Sequence, residues 1–486
     1  MTKPLLPVLL ASAALAGCMV GPNYHRPTAP VSPTYKEAAG WVPAQPSDAA
    51  DRRDWWTVLN DPVLNELEQR VDISNQNLAA AEAAWRQSEA LVREQRAALF
   101  PTVTYNGSAE ASGGGGGGGT VTPGGTVTGG RGTTTSYRVG LGASWAPDLW
   151  GRIRRTVEAA RAGAQASAAD LANARLSAQT TLALDYIQLR QLDEQKRLSD
   201  ATVVAYGRSL TVTQNRYNAG VAARSDVLSA QTQLANAKAD DADLEQQRAR
   251  LEHAIAILTG RPPAELTLTS APWTLVPPQI PAGVPSTLLQ RRPDIAAAER
   301  RAAQANAQIG VAKSAYYPDL TLTGSGGFAS SELGNLFSAS STLWSVGAQL
   351  AGTLFDAGAR GARVSQARAA YDQQVALYRQ AVLNGLGEVE DNLAAQRVLA
   401  AEQALRDQSL AAARENERIL LNQYNAGQVD YTAVVVAQTA AYGAERAALQ
   451  NQASRLAAAV DLIAALGGGW TTGELDHPIR TPQPAG

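Results

Sequence analysis

Apolar residues recur at helical spacing along most of the chain. From Arg152 to about Tyr217, and again from about Gly358 to Tyr424, no proline interrupts the pattern. An α-helix rises 1.5 Å per residue, so about 65 residues correspond to roughly 100 Å. A shorter helical pattern covers residues 62–98 and stops before a proline. The pattern therefore predicts two helices far longer than those of ordinary globular domains.

Each long helix ends in the same turn. The letters Tyr-Asn-Ala-Gly close the first helix at residues 217–220 and the second at 424–427. The glycine can take the left-handed conformation in which many helices end. Ser225-Asp226 and Asp430 follow within a few residues and are suited to begin a returning helix as N-caps. We therefore predict two long antiparallel helical hairpins.

Four short stretches alternate instead with period two, which indicates half-buried strands. Two precede the first long helix and two precede the second. Their apolar positions are Val103 and Tyr105; Tyr137, Val139, Leu141, Ala143 and Trp145; Leu320 and Leu322; and Trp344, Val346, Ala348 and Leu350. A glycine-rich loop, 107–135, separates the first two strands. We expect this loop to stay without order, because it has little apolar surface to bury.

The whole arrangement occurs twice. Residues 216–220 return with one substitution 207 positions later, and residues 77–82 return in similar form 217 positions later. Repetition on this scale predicts an internal duplication and a pseudo-symmetric scaffold. We divide the chain into a signal peptide, 1–17; a proline-rich arm, 18–60; a first repeat, 61–259; a connector, 260–290; a second repeat, 291–466; and a C-terminal tail, 467–486.

Composition argues against several functional classes. The formal net charge of −2 offers no basic surface to a nucleic acid. His25, His253 and His477 lie far apart and show no spacing of metal ligands. Ser325-Gly326-Gly327 fits the end of a strand better than the turn around a catalytic serine. We therefore expect no enzyme activity, no cofactor and no metal site.

The N-terminus has the pattern of an export signal. Lys3 precedes a short apolar stretch that ends in Leu15-Ala16-Gly17-Cys18. This stretch is too short to span a membrane as a stable helix. The only cysteine of the chain occupies the position at which a bacterial lipoprotein is acylated, so we predict lipidation of Cys18. Met19 follows, where an inner-membrane retention signal has aspartate, and this favours the outer membrane. An ordinary signal peptide with an incidental cysteine is the alternative.

The alternating strands fit either a soluble β-layer or a transmembrane β-barrel. A sheet in a membrane must close, because open edges leave backbone groups unpaired in hydrocarbon. Four strands cannot close alone. Two chains would supply eight strands around a filled interior, and three would supply twelve around a passage. The export signal and the lack of a spanning helix favour the barrel, which then requires an oligomer.

Several motifs in a fixed order resemble one family. They are Leu15-Ala-Gly-Cys18, Asp148-Leu-Trp-Gly-Arg152, Arg291-Arg-Pro-Asp-Ile295 with Glu299, the two Tyr-Asn-Ala-Gly turns, and Leu466-Gly-Gly-Gly-Trp470. Each motif alone is weak, whereas the ordered set is specific. The whole mature chain resembles the outer-membrane factors of tripartite efflux systems, the TolC-like channels, and within them the NodT or OprM-like lipoproteins.

The resemblance implies a mainly α fold with a small β part. Long antiparallel helical hairpins would form a periplasmic tunnel, and four strands from each chain of a homotrimer would form one barrel in the outer membrane. The implied function is passive export of small molecules, and export of drugs would give multidrug resistance. An inner-membrane pump would supply energy, and a periplasmic adaptor would open the channel at its tip. Outer-membrane lipids would surround the barrel, and neither the cargo nor the particular pump follows from the resemblance.

The resemblance also places the functional residues at the two turns, which would form the periplasmic tip. Adaptor docking is expected at Asn218, Gly220, Asn425 and Gly427. The constriction is expected at Tyr217, Asp226, Tyr424, Asp430, Ala433 and Val436. Relatives often carry aspartates shortly after the second turn, where this chain has Ala433 and Val436, so the constriction is predicted to be apolar. Simple packing at a helix end is the alternative role of Tyr217 and Tyr424.

Two other classes of protein fit parts of the pattern. A periplasmic adaptor also has a long helical hairpin and often a lipid anchor, but it carries one hairpin between small β-domains. A structural coiled-coil lipoprotein does not need strands with an aromatic face. Paired strands in both copies of the repeat favour the channel over these alternatives.

Overall fold

A computed structural model describes residues 19–37, 54–113, 133–278 and 291–476. These residues form seven α-helices and four strands. The helices are α1 (Pro62–Ser74), α2 (Gln76–Ala97), α3 (Arg152–Asn218), α4 (Arg224–Leu258), α5 (Pro293–Ser314), α6 (Ala359–Asn425) and α7 (Tyr431–Ala465). The strands are β1 (Thr102–Gly113), β2 (Thr133–Trp145), β3 (Asp319–Ser330) and β4 (Thr342–Ala351). Cys18, on which the lipidation prediction rests, lies outside the described residues.

The structure confirms the duplication through the lengths of equivalent helices. Helices α2 and α5 each contain 22 residues. Helices α3 and α6 each contain 67 residues, and the helices that return from them, α4 and α7, each contain 35. The two long helices begin and end within a residue of the predicted bounds. The mainly α fold with a small β part is therefore confirmed.

The helical pattern over 62–98 forms two helices rather than one. Asn75 stands between α1 and α2 with an extended backbone. Its side-chain oxygen accepts hydrogen bonds from the backbone N–H groups of Asn77 and Leu78, and its amide donates to the carbonyl of Leu258. An asparagine side chain can thus end one helix and begin the next without disturbing the apolar stripe.

The four strands form one antiparallel sheet in the order β1-β2-β3-β4. Pairing of β1 with β2 continues to Gly113 opposite Thr133, well inside the glycine-rich stretch that was expected to lack order. That expectation was wrong for residues 107–113 and 133–135. Backbone hydrogen bonds of the ladder order these residues, and such bonds do not require apolar side chains. Residues 114–132 lie outside the described part of the chain.

One face of this sheet is apolar and exposed. Directly opposite residues share a face, and Tyr105 pairs with Leu141, which pairs with Gly326, which pairs with Trp344. The other face carries mainly small and polar side chains, among them Thr104 and Gly142. The large apolar side chains that are exposed on the first face are Val103, Tyr105, Val139, Leu141, Trp145, Trp344, Val346 and Leu350.

The chain folds into two compact units, each built from parts of both repeats. One consists of the described residues within 1–27, 87–164 and 300–375 and contains the sheet. The other consists of the described residues within 28–86, 165–299 and 376–486 and contains both helical turns. Among the helices of the described ranges, none has the length and apolar character needed to cross a lipid bilayer.

The main apolar core of the second unit packs α1 against the long helices. The predicted stripe of Leu64, Leu67, Val71 and Leu78 is buried in this core, as expected. Helix α1 begins where local chemistry dictates, because Asp61 caps its first N–H groups and a proline follows at the first helical position. Side chains of α3 and α7, including Leu182 and Leu456, complete the core.

A carboxyl group is buried beside this core, and no hydrogen bond offsets the cost of its burial among the described residues. The side chain of Glu68 on α1 is 0% exposed. Neither carboxyl oxygen has a hydrogen-bond partner within the described ranges. Burial, and secondarily the charge of Asp72, raise the pKa of Glu68 well above its ordinary value. The folded protein therefore holds a proton that the unfolded chain releases above pH 4.5, and stability falls as the pH rises past that value.

Replacing Glu68 with methionine, which has similar length and no charge, is expected to stabilise the protein. The gain at pH 8 should be about 1–3 kcal/mol, the usual cost of an unsatisfied buried polar group. At pH 5 the gain should be smaller, because less work is then needed to keep the carboxyl protonated. Thermal unfolding of purified protein at both pH values measures the difference. An equal gain at pH 5 and pH 8 would contradict the protonation of Glu68.

Candidate functional site at the helical turns

The two predicted turns have the same backbone geometry. Gly220 and Gly427 both have φ of 75°, a left-handed conformation that glycine adopts without the steric cost of a side chain. In the first turn, Gly220 N–H donates to the Tyr217 carbonyl and the next N–H donates to the Arg216 carbonyl, both at 2.9 Å. The second turn repeats both bonds. This hydrogen-bond pair satisfies carbonyls that a helix end leaves open, so the predicted cap role of both glycines is confirmed.

The returning helices α4 and α7 begin with different chemistry. Asp430 caps α7, and its carboxylate accepts a hydrogen bond of 3.0 Å from the Ala433 N–H. At the first turn the N-cap is Ala223 rather than Ser225 or Asp226, which corrects the prediction. Asp226 lies one turn inside α4, where its carboxylate accepts from the Ala223 N–H at 3.4 Å. Each helix thus has one carboxylate near its positive end, at different positions.

A small buried cluster joins the two hairpins below the turns. The rings of Tyr424 and Tyr431 lie 5.4 Å apart. The Arg216 guanidinium lies 4.6 Å from the centre of the Tyr424 ring and donates a 2.8 Å hydrogen bond to the Tyr424 carbonyl. The hydroxyl groups of Thr213 and Tyr424 are 3.1 Å apart. Burial raises the pKa of Tyr431 to about 12, so this ring stays neutral at physiological pH.

Equivalent tyrosines of the two copies differ in their surroundings. Tyr424 is 3% exposed, whereas Tyr217 is 39% exposed. Tyr424 packs in a buried cluster with Ala230, Tyr431 and Val434, and the Arg216 guanidinium lies over its ring. Tyr424 therefore packs at a helix end, which is the alternative role given for it above. Tyr217 is free to contact another molecule.

The residues after the second turn point in two directions. Val434 is buried in the tyrosine cluster, and Val436 is 63% exposed. Positions two apart on a helix face opposite sides, so Val436 lies on the face turned away from the cluster. Ala433 is half-buried, and Asp430 is exposed. The predicted docking residues, Asn218, Gly220, Asn425 and Gly427, are all exposed at the turns.

Sequence reasoning missed three members of the cluster, Arg216, Thr213 and Tyr431. A signal for each of them was present in the repeat. Arg216 stands where the second copy has Gln423, and Tyr431 stands where the first copy has Arg224. Positions at which two copies of one unit differ are positions at which their environments can differ. Thr213 stands where the second copy has Leu420, so the same comparison marks this position.

The chain resembles known proteins over its full length. A family model described as outer membrane efflux protein matches residues 67–261 and 284–468, one match in each repeat. The probable efflux pump outer membrane protein TtgC of Pseudomonas putida is 30% identical over 495 residues, which cover 100% of both chains. The pyoverdine export outer membrane protein OpmQ of Pseudomonas aeruginosa is 31% identical over 431 residues, which cover 88% of this chain and 90% of OpmQ.

A solved structure supports the same assignment. The outer-membrane channel OprN superposes on the chain with a TM-score of 0.83 and 32% identity, over 93% of this chain and 100% of OprN. Similarity at this level extends over both repeats and both compact units, so it concerns the whole fold and not one motif. The chain therefore belongs to the outer membrane efflux protein family.

Proposed function

We propose that three copies of this chain form the outer-membrane duct of a tripartite efflux pump, anchored by lipid on Cys18 and opened at the helical turns by a periplasmic adaptor. The observation that carries the proposal is a sheet with one exposed apolar face in a chain that also has two long helical hairpins. An inner-membrane pump supplies the energy. The chain itself is a passive channel without a catalytic step, with most of its mass in the periplasm.

The sheet supports closure into a barrel between chains. Its strands contain 10 to 13 residues, and a tilted strand of about 9–11 residues spans the hydrocarbon of a bilayer. Strands β1 and β4 are the edges of the sheet, and they run in opposite directions. Pairing β4 of one chain with β1 of the next therefore continues the antiparallel alternation. Three chains supply twelve strands, enough for a passage.

Aromatic side chains mark one boundary of the sheet. All four strands connect to helices at the same end, where Thr102 lies opposite Ser144 and Asp319 lies opposite Ala351. Tryptophan and tyrosine favour the interface between membrane and water, because one end of the side chain is apolar and the other can form hydrogen bonds. The exposed aromatic residues at this end are Phe100, Trp145, Tyr316, Tyr317 and Phe355.

Purified protein in planar bilayers tests the proposal. We expect discrete pores from a trimer that dissociates to monomers on heating, as a barrel shared between chains requires. Folded monomers that open no pores would overturn the proposal. A periplasmic adaptor and a structural lipoprotein, the two alternatives, both predict the absence of pores.

We place the constriction of the duct at the exposed face of α7 that carries Val436, together with Tyr217 and the carboxylates Asp226 and Asp430. Tyr424 lies behind this face, where its ring packs against the Arg216 guanidinium. Ala433 lies on the first turn of α7 beside its cap. An exposed valine has no charge to attract cations, so the constriction is apolar at Val436.

Val436→Asp is expected to add block by divalent cations. Copies of the change in all three chains would form a ring of carboxylates, and close carboxylates bind Ca²⁺ or Mg²⁺. The wild-type conductance should change little in millimolar MgCl₂, whereas the variant should lose most of its conductance and recover it with a chelator. Val436→Asn, which adds a polar side chain of nearly the same size without a charge, is the matched control. Equal conductance of Val436→Asp with and without magnesium would contradict this position of the constriction.

We propose no single cargo. OpmQ is named for pyoverdine export and TtgC for an efflux pump, so related chains serve different pumps. In such an assembly the pump selects the cargo, and the duct admits small molecules in general, drugs included.

A further inference from the structure

A cavity of about 470 Å³ lies at the helix-joined end of the sheet. Its volume falls within the usual range of small-molecule sites. It lies between the last turn of α5 and the first turns of α6, beside the N-terminal segment. The residues that line it are Val20, Lys313, Tyr316, Tyr317, Gly361, Val364, Ser365 and Arg368.

Neighbouring side chains hold the aromatic wall of the cavity in place. Trp150 stacks on Tyr317 at 4.9 Å and donates a 2.8 Å hydrogen bond to the Pro318 carbonyl. The Arg360 guanidinium lies 5.3 Å from the centre of the Tyr316 ring. Both tyrosines remain partly exposed, so their rings and hydroxyl groups are available to a ligand.

Two cations of the cavity have no partner among the residues that the structure describes. Within the described ranges, the side chains of Lys313 and Arg368 form no hydrogen bond or ion pair. Nearby arginines are engaged, since Arg360 binds Asp356 at 2.7 Å and Arg154 binds Asp148 at 3.3 Å. None of the residues that line the cavity is acidic. The cavity therefore favours an anion that also has an apolar part.

The N-terminal segment closes one side of the cavity and is firmly held. Val20 N–H donates a 3.0 Å hydrogen bond to the Trp150 carbonyl. Arg155 is 1% exposed and donates to the carbonyls of Val20 and Gly21 and to the side chain of Asn23. Val20 is two residues from Cys18, the predicted site of acylation. The proposed lipid anchor would therefore leave the protein next to this cavity.

We propose that this cavity binds the phosphate head group of an anionic phospholipid of the outer membrane. The proposal rests on the proposed function, which puts this end of the sheet at the membrane surface. Lys313 and Arg368 bind the phosphate, the two tyrosines contact the glycerol region, and the acyl chains extend along the apolar face of the sheet. Basic sites beside membrane-spanning segments recognise lipid head groups in this way.

Native mass spectrometry of the purified protein, titrated with phosphatidylglycerol, tests the proposal. The double variant Lys313→Gln with Arg368→Gln is expected to bind this lipid about tenfold or more weakly, since each basic residue contributes substantially near an anionic head group. Arg363→Gln is the matched control, because Arg363 is exposed on the same helix and does not line the cavity. It should bind the lipid as the wild type does.

Three outcomes would overturn the lipid site. Unchanged lipid binding by the double variant would show that the two cations are not involved. Displacement of the lipid by millimolar inorganic phosphate would indicate a site for free phosphate instead. Lipid binding that appears only in Cys18→Ser would indicate that the protein's own acyl chains fill the cavity. Pores are recorded from the same preparations, so that the lipid site and the channel function are tested separately. Absence of lipid binding together with normal pores would contradict the lipid site and leave the proposed channel function standing.

Discussion

Val346→Arg is expected to prevent assembly of the protein in the outer membrane. Val346 is 81% exposed at the middle of β4 and lies on the apolar face of the sheet. An arginine at the middle of the lipid-facing side of a barrel costs about 2–4 kcal/mol. The cost is repeated in each chain of a trimer, so heat-sensitive trimers in outer-membrane extracts should fall about tenfold or more.

The neighbouring residue supplies a control at nearly the same depth. Ser345 is on the opposite face, where its hydroxyl lies 2.8 Å from that of Ser325. Ser345→Arg places the same charge inside the barrel, where water can solvate it, so trimers should form normally and conductance should change. If both variants assemble equally well, the apolar face does not meet lipid. If both fail, the position tolerates no large side chain. A comparison of the single variants Leu350→Arg and Gln349→Arg then repeats the test nearer the boundary of the sheet.

The elements of the fold could be predicted because each rests on a local signal. Absence of proline over 67 residues and a glycine at each end are sufficient to bound α3 and α6. The break at Asn75 could not be predicted, because the apolar stripe continues across it and only the contact with Leu258 shows why the backbone turns. The extension of β1 to Gly113 was missed for a related reason. Strand pairing depends on the partner, and a run of glycine has no pattern of its own.

At the tip, the two copies are similar in sequence but differ in their contacts. Asp226 has Ala433 as its counterpart, so the two copies differ in charge at this position of the tip. Part of that difference follows from helix capping. Ala223 has Asp430 as its counterpart, so each returning helix has one carboxylate near its first turn. What remains asymmetric is the cluster around Tyr424, which a distant arginine covers. Contacts between helices 207 positions apart in sequence leave no trace in local periodicity.

Bulky replacement of Gly220 and Gly427 is expected to abolish most export while leaving membrane insertion intact. Both glycines are exposed at the turns. A Cβ atom added at Gly220 would meet no other described part of this chain within 4 Å, and one at Gly427 would approach only Arg216. The change therefore projects into the space that an adaptor would occupy. A clash that costs about 1.4 kcal/mol weakens binding tenfold, and the change recurs in every chain of the trimer.

A size series separates docking from the cap itself. Alanine adds little bulk but costs about 1–2 kcal/mol in the left-handed conformation. Asparagine is larger, yet it tolerates that conformation far better. If the turns dock the adaptor, drug export in a strain that supplies pump and adaptor should follow size, with alanine retaining most export, asparagine less and tryptophan least. If the turns serve only as helix caps, asparagine should retain more export than alanine. That order, or a loss of trimers and pores in proportion to the loss of export, would contradict a docking role, because damage to the fold affects the isolated channel as well.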